Sequence, residues 1–236
     1  MIEVLAFDAD DTLWHNERHY DEAKEQFQQI LTRYHDAEWI ESRLDETEMQ
    51  NLNRYGYGIK SFTLSMIETA IQLTEGRIIG TDIHDIITIA WAMLAKPMDV
   101  FDGVRETILS LAERYKLLLI TKGDLFEQEA KIARSGLGDY FSSIEIVSEK
   151  TPRAYEAILS KHQINPQQFV MIGNSLKSDI LPVLAIGGIG IHIPFETTWV
   201  HELVPESELA GKEFIRLASF THLPALLASL EANADQ

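Results

Sequence analysis

The sequence predicts an α/β protein, a mainly parallel sheet covered by helices, with an all-helical segment inserted after the first strand. Three observations predict it. Apolar runs too short for helices, Val4 to Phe7, Leu117 to Thr121 and Phe169 to Gly173, each end in a polar loop, as strands buried on both faces of a parallel sheet do. Beyond residue 103, such runs alternate with helix-period segments, the pattern of crossover connections that place function at the strands' carboxyl ends. Between Arg18 and Pro97 only the helical period is found. Residues 1–15 and 99–236 therefore read as the sheet-bearing core, and 16–98 as the insert.

The elements follow in order. After strand Val4 to Phe7 come three acids, Asp8, Asp10 and Asp11. A carboxylate left dry and unpaired there is costly, so these acids must reach water, cations or hydrogen-bond donors. Positions i and i+2 of an extended segment point the same way, so Asp8 and Asp10 can share a focus while Asp11 and Thr12 turn the chain. Two carboxylates with one focus point to a divalent cation or an acid/base pair. In the insert, helices are expected at Tyr20 to Tyr34, Ala37 to Leu52, Ser61 to Leu73 and Asp82 to Ala95, with Gly56, Gly58, Gly76 and Gly80 as breakers. Pro97 to Gly103 makes the return. Then come helix Val104 to Tyr115, strand Leu117 to Thr121, helix Asp124 to Ser135, strand Glu145 to Ser148 and helix Pro152 to His162. Strand Phe169 to Gly173, helix Lys177 to Ile186, strand Ile189 to Ile193, strand Phe214 to Ala218 and helix Thr221 to Glu231 complete the chain.

Composition narrows the function. With 236 residues, 45% of them hydrophobic, the chain can bury a real core. The absence of Cys removes thiol nucleophiles, cysteine zinc sites and disulfides. A net charge of -17 argues against nucleic acid and anionic membranes as partners, which need a basic face. The N-terminal apolar run is too short for a signal peptide, so a soluble, cytoplasmic protein is expected. An anionic substrate would need local Lys, backbone amides or metal to hold it.

Asp8-Ala9-Asp10-Asp11-Thr12-Leu13 resembles the first motif of the haloacid dehalogenase superfamily, an apolar strand followed by D-x-D-x-T-[LV]. The resemblance implies a Rossmann-like core with an inserted helical cap of the C1 type, and in most members a magnesium-dependent phosphatase. Thr121-Lys122-Gly123-Asp124 offers a hydroxyl, a free amide and a flexible Gly before a helix, a natural oxyanion cradle, and resembles the second motif. Lys150, approaching a helix opened by Pro152, resembles the third; a cation is needed there to offset the acids, with Lys122 as the fallback. Gly173-Asn174-Ser175-Leu176-Lys177-Ser178-Asp179 resembles the fourth, G-D-x-x-x-x-D. Asp179 fits its last acid, while Asn174 stands where the family usually has Asp, which bears on the metal's affinity.

The resemblance implies that Asp8 is the nucleophile forming an aspartyl-phosphate and Asp10 the general acid and base. Thr121, Lys122, Gly123 and Lys150 hold the phosphoryl group. Magnesium (Mg2+) is held by Asp8, Asp10 through its backbone carbonyl and Asp179, with Asn174 supporting a metal-bound water. A small phosphorylated metabolite is the expected substrate. Phosphomutase and 2-haloacid dehalogenase are the rival chemistries, and a non-catalytic binding protein the rival class. Within the insert, Arg54, Tyr55, Tyr57 and Lys60 surround Gly56 and Gly58 and are the candidate selectivity residues. His15 and His19 flank Glu17 but do not form H-E-x-x-H, and read as surface residues of a helix start. No nucleotide-binding loop is found: G-x-x-x-x-G-K-[ST] is absent, and Gly187-Gly188-Ile189-Gly190 ends a helix.

Overall fold

In the computed structural model, strand β1, Val4–Phe7, is buried on both faces. It lies between β2, Lys116–Lys122, and β4, Phe169–Gly173, both parallel to it. With β3, Ser143–Val147, β5, Ile189–His192, and β6, Ile215–Arg216, the sheet has six parallel strands in the order β3-β2-β1-β4-β5-β6. That order reverses direction beside β1, and the crevice outside the carboxyl ends at such a point is where open α/β sheets bind ligands. The structure describes residues 2–196, 199 and 202–234.

The alternation of side chains along β1 sorts two layers of core. Leu5 and Phe7 join Val104, Ile108, Leu119, Ile172 and Leu223 on one face. Val4 and Ala6 join Leu118, Ile120, Tyr155 and Met171 on the other. The helices are α5, Val104–Ala112, α6, Leu125–Ser135, α7, Pro152–His162, the short α8, Leu181–Ala185, and α9, Glu206–Leu209, and α10, Leu223–Ala234. At roughly 25 cal/mol per Å² of apolar surface, burial of these layers is the main force holding the sheet.

The chain divides into two compact units. The first is Met1–Glu17, Met98–Lys122 and Glu129–Gln236; the second is Arg18–Pro97 with Gly123–Gln128. The second carries α1, Glu17–Leu31, apart from its first residue, and α2, Ala37–Tyr55, α3, Ile59–Leu73, and α4, Gly80–Ala95. Phe27, Leu31, Ile40, Leu44, Ile59, Phe62, Met66, Ile86 and Ile89 belong to its core, spaced by three and four within each helix as an amphipathic helix requires. Among the described residues, no helix is long and apolar enough to cross a membrane.

Several boundaries differ from the sequence expectation. Gly80 opens α4 instead of breaking the chain, since the first turn tolerates Gly. The single helix expected from Lys177 is a wide turn, Leu176–Ile180, followed by α8. Ser175 Oγ accepts the Ser178 N–H at 3.0 Å and Pro182 lacks an amide, so a regular helix cannot start earlier. Strand β3 starts two residues earlier than expected because Ser143 pairs with Leu118, and pairing register, invisible locally, sets it. Helix α5 stops at Ala112, and Tyr115 turns into the core, its hydroxyl donating to Glu231 at 2.6 Å.

Candidate active site

The carboxyl ends of β1, β2 and β4 bring together most of the residues singled out by sequence. Asp8 continues β1, its N–H donating to the Ile172 carbonyl at 2.9 Å. Its carboxylate accepts the Lys150 ammonium on one oxygen and the Thr12 hydroxyl on the other, at 3.0 Å. The Lys150 Nζ lies 2.7 Å from Asp179 Oδ1, so one buried cation serves two buried acids. Burial pushes the Asp8 carboxyl up; Lys150 opposes this, and neighbouring Asp179 adds to it. Burial would lower Lys150, but Asp179 and Asp8 outweigh it and hold the ammonium above its ordinary range. Thr151, whose hydroxyl caps α7 by accepting the Ala154 N–H at 3.2 Å, fixes the approach of Lys150.

Asp179 is fully buried, and its other oxygen accepts the Ser175 N–H at 3.0 Å. Gly173 makes this possible: a Cβ there would lie 2.2 Å from Asp179 Oδ2. Asn174 answers Thr12 twice, donating its N–H to Oγ1 at 3.1 Å and offering Oδ1 at 3.2 Å. The Thr12 hydroxyl proton is thus shared between Asp8 and Asn174. The carbonyl of Asn174 accepts from His192 Nε2 at 2.9 Å.

Asp10 has its own setting. Lys131 Nζ reaches both of its oxygens, at 3.2 and 3.0 Å, and also Asn16 Oδ1 at 2.7 Å. The Trp14 indole donates to Asp10 Oδ1 at 2.7 Å. The third acid has a structural task. Asp11, at φ 58, accepts the N–H of Asn16 at 2.8 Å and of Glu17 at 3.0 Å, capping the start of α1. Burial lifts its carboxyl to about 7 even against those two bonds.

Lys131 was not among the residues picked out by sequence. The buried positions of α6 are Glu127, Gln128, Lys131, Ile132 and Ser135, whereas Leu125 and Phe126 are 58% and 74% exposed. The usual apolar stripe is absent from the inner face. A cation at i+4 from Glu127 on that stripe was the available signal.

Thr121, next to last in β2, is almost fully buried. Lys122 pairs with Glu202 and donates to Ser178 Oγ at 3.1 Å, so Lys150, not the fallback Lys122, is the cation at Asp8. Gly123, with φ 148, lies where a Cβ would meet Gln128 Nε2 at 2.9 Å. Asp124 Oδ1 caps α6 by accepting the Glu127 N–H at 3.1 Å.

Arg54, Tyr55, Tyr57 and Lys60 belong to the helical unit. Arg54 donates to Asn51 Oδ1 at 3.1 Å, Tyr55 is exposed, and Lys60 pairs with Asp124 at 2.8 Å. Gly56, at φ 72, closes α2 and Gly58, at φ 110, opens α3. Glu127 Oε2 accepts the Ile59 N–H at 2.8 Å, a carboxylate at the start of α3. His15, expected at the surface, is half-buried with its ring 4.2 Å from that of Phe101.

The donor set fits magnesium. Among the described residues, no three His, Cys, Asp or Glu gather as a ligand cluster, but magnesium commonly takes only one or two carboxylates, completing its shell with water and phosphate oxygens. Asp8 and Asp179 meet at one ammonium and are hard oxygen donors of the kind that magnesium takes.

The family model for haloacid dehalogenase-like hydrolases matches residues 2–187. A haloacid dehalogenase-like family hydrolase from Xanthomonas campestris is similar in structure, with a TM-score of 0.88 at 44% identity over 99% of this chain and 94% of that one. The N-acylneuraminate-9-phosphatase of Homo sapiens is 24% identical over 218 residues, 87% of this chain and 85% of that protein. The glyceraldehyde 3-phosphate phosphatase of Pyrococcus furiosus is 32% identical over 136 residues, 55% of this chain and 53% of that protein.

Proposed function

This chain belongs to the haloacid dehalogenase-like hydrolase family, and from that premise we propose that it hydrolyses a small phosphate monoester through a phosphorylated Asp8. One observation carries the reading: the acid that continues β1 is buried and held by Lys150 and Thr12, with Asp179 on the same ammonium. A carboxylate so fixed is a nucleophile with little reorganisation left to do.

In the first step an Asp8 oxygen bonds to phosphorus and the bond to the ester oxygen breaks, while Asp10 gives that oxygen its proton. In the second, water attacks the phosphorus, Asp10 takes back a proton, and Asp8 and inorganic phosphate are freed. Lys131 and Trp14 stabilise the carboxylate that Asp10 becomes after donating. The Thr121 hydroxyl, the Lys122 amide, Gly123 and Lys150 are assigned to the phosphoryl oxygens. Asp8, the Asp10 carbonyl and Asp179 would hold magnesium, which would supply positive charge to offset the anions gathered there. We assign Asn174 to a metal-bound water, and substrate selection to Arg54, Tyr55, Tyr57 and Lys60 of the helical unit.

A panel of phosphate monoesters with and without magnesium, run beside 2-chloropropionate, tests the reading. Phosphate release that depends on magnesium is expected. Chloride release without it would replace phosphatase by dehalogenase, and transfer of the phosphoryl group to a second hydroxyl of the substrate would make the enzyme a mutase.

A further inference from the structure

Glu202 lies well beyond the four motif segments, yet its carboxylate is directed among them. It accepts the Lys122 ammonium and the Ser175 hydroxyl on separate oxygens, and the Ser178 hydroxyl at 2.7 Å. Lys122 Nζ closes the ring by donating to Ser178 Oγ at 3.1 Å. The side chains of Lys122 and Glu202 are only 15% and 13% exposed, and the Glu202 N–H donates to the Trp199 carbonyl at 2.8 Å. Burial raises the Glu202 carboxyl, but Lys122 and the two serines outweigh this and hold it below its ordinary range.

The topology gives the ring its meaning. Strands β2 and β4 are not neighbours; β1 separates them. Lys122 follows Thr121 at the end of β2, Ser175 follows Asn174, and Ser178 precedes Asp179 in the loop after β4. Glu202 therefore bonds to a residue adjacent to each of three assigned site residues, on both sides of the strand that carries Asp8. Either charge of the pair left alone at this depth would be strongly unfavourable.

We propose that Glu202 is a positioning residue, which fixes Lys122 and the 175–179 loop so that the phosphoryl-binding end of β2 and the acid Asp179 keep one spacing. The inference rests on the phosphatase reading. Its action runs through Lys122, whose side chain it holds while the amide of Lys122 serves the phosphoryl group.

The test uses the full chain as wild type, Glu202→Gln, Lys122→Met and the double variant, with p-nitrophenyl phosphate as substrate and orthovanadate, a five-coordinate phosphoryl mimic, as inhibitor. Each single variant should lose about tenfold or more in kcat and bind vanadate at least about fivefold more weakly. The inhibition constant does not depend on the fraction of enzyme that is folded, so a merely structural role would leave it alone. The double variant should recover much of both losses, because no buried charge is left unpaired. Glu202→Gln with wild-type kcat and vanadate affinity overturns the inference, and so does a loss that Lys122→Met fails to relieve. Wild-type protein inactive on every monoester would overturn the phosphatase reading itself, and with it this inference.

Discussion

Lys131 and Asp10 form a bidentate ion pair, with the ammonium 3.2 and 3.0 Å from the two carboxylate oxygens. The pair ties helix α6 to the turn after β1. It favours the ionised form of Asp10, the form left after a proton is donated, and the Trp14 indole adds a third bond to the same carboxylate.

If Asp10 protonates the leaving group, Asp10→Ala should slow alkyl phosphates about 10²- to 10⁴-fold. p-Nitrophenyl phosphate, whose leaving group hardly needs a proton, should be affected far less. Lys131→Met should show the same leaving-group dependence with a smaller amplitude. Equal losses on both substrate types would remove Asp10 from the proton transfer.

Asp8→Asn should abolish turnover while leaving the fold intact. The amide cannot attack phosphorus, but it keeps the shape of the side chain and the bond from Thr12. Intact-mass analysis after a phosphoryl donor should show an adduct of one phosphoryl group in a trapped wild type and none in the variant. Turnover by Asp8→Asn would be incompatible with the nucleophile assignment.

Removal of divalent metal with EDTA should abolish activity, and magnesium should restore it. Asp179→Ala should raise the magnesium needed for half-maximal rate steeply, and Gly173→Ala should act in the same direction, because its Cβ would collide with the Asp179 carboxylate. Asn174→Asp, which restores the commoner residue of the fourth motif, should lower the requirement or leave it unchanged. Full activity after chelation would refute the metal's role.

Stability should fall in mild acid through His192. Burial depresses its pKa; the bond to the Asn174 carbonyl opposes this, and the charge of Arg216 adds to the depression. The unfolded chain titrates at the ordinary 6.5 and so binds more protons than the folded one just below that value. Stability is therefore unaffected above pH 6.5, declines below it, and levels off once the folded His192 is itself protonated. Between about pH 7.5 and about pH 5.5, denaturation of wild type should show a larger loss than that of His192→Asn. Parallel losses would clear His192 of the effect.

Arg54→Ala or Tyr57→Ala should change the ranking among phosphate monoesters while leaving p-nitrophenyl phosphate hydrolysis within about a few-fold of wild type. An unchanged ranking across a broad panel would mean that this loop only connects α2 and α3, as its bonds to Asn51 and Asp124 alone would require.

The parts of the fold read from sequence are those governed by local pattern. Val4 to Phe7 and Phe169 to Gly173 are strands because their apolar runs are too short for any other buried element, and Pro152 with Thr151 fixes the start of α7 without help from distant residues. The residues assigned to the site, Asp8, Thr121, Lys150 and Asp179, can be named from sequence because each lies within a few residues of the end of an expected strand. Register was not legible. Strand β3 took its start from pairing with β2, and the turn at Leu176–Ile180 was shaped by Ser175 capping and by the absence of an amide on Pro182.

The sequence by itself determined the order of the strands and placed acids and cations at their ends, since each is written in the period and the punctuation of a short stretch. Only the tertiary structure decided which charges meet. Lys150 rather than Lys122 reaches Asp8, Lys131 reaches Asp10 from a helix that leaves Leu125 and Phe126 exposed, and Glu202 bonds to the end of β2 and to the loop after β4, on either side of β1. A buried charge takes whichever opposite charge the packing of separate elements brings within hydrogen-bond reach, and that distance is a property of the assembled sheet and helices, not of any segment of the chain.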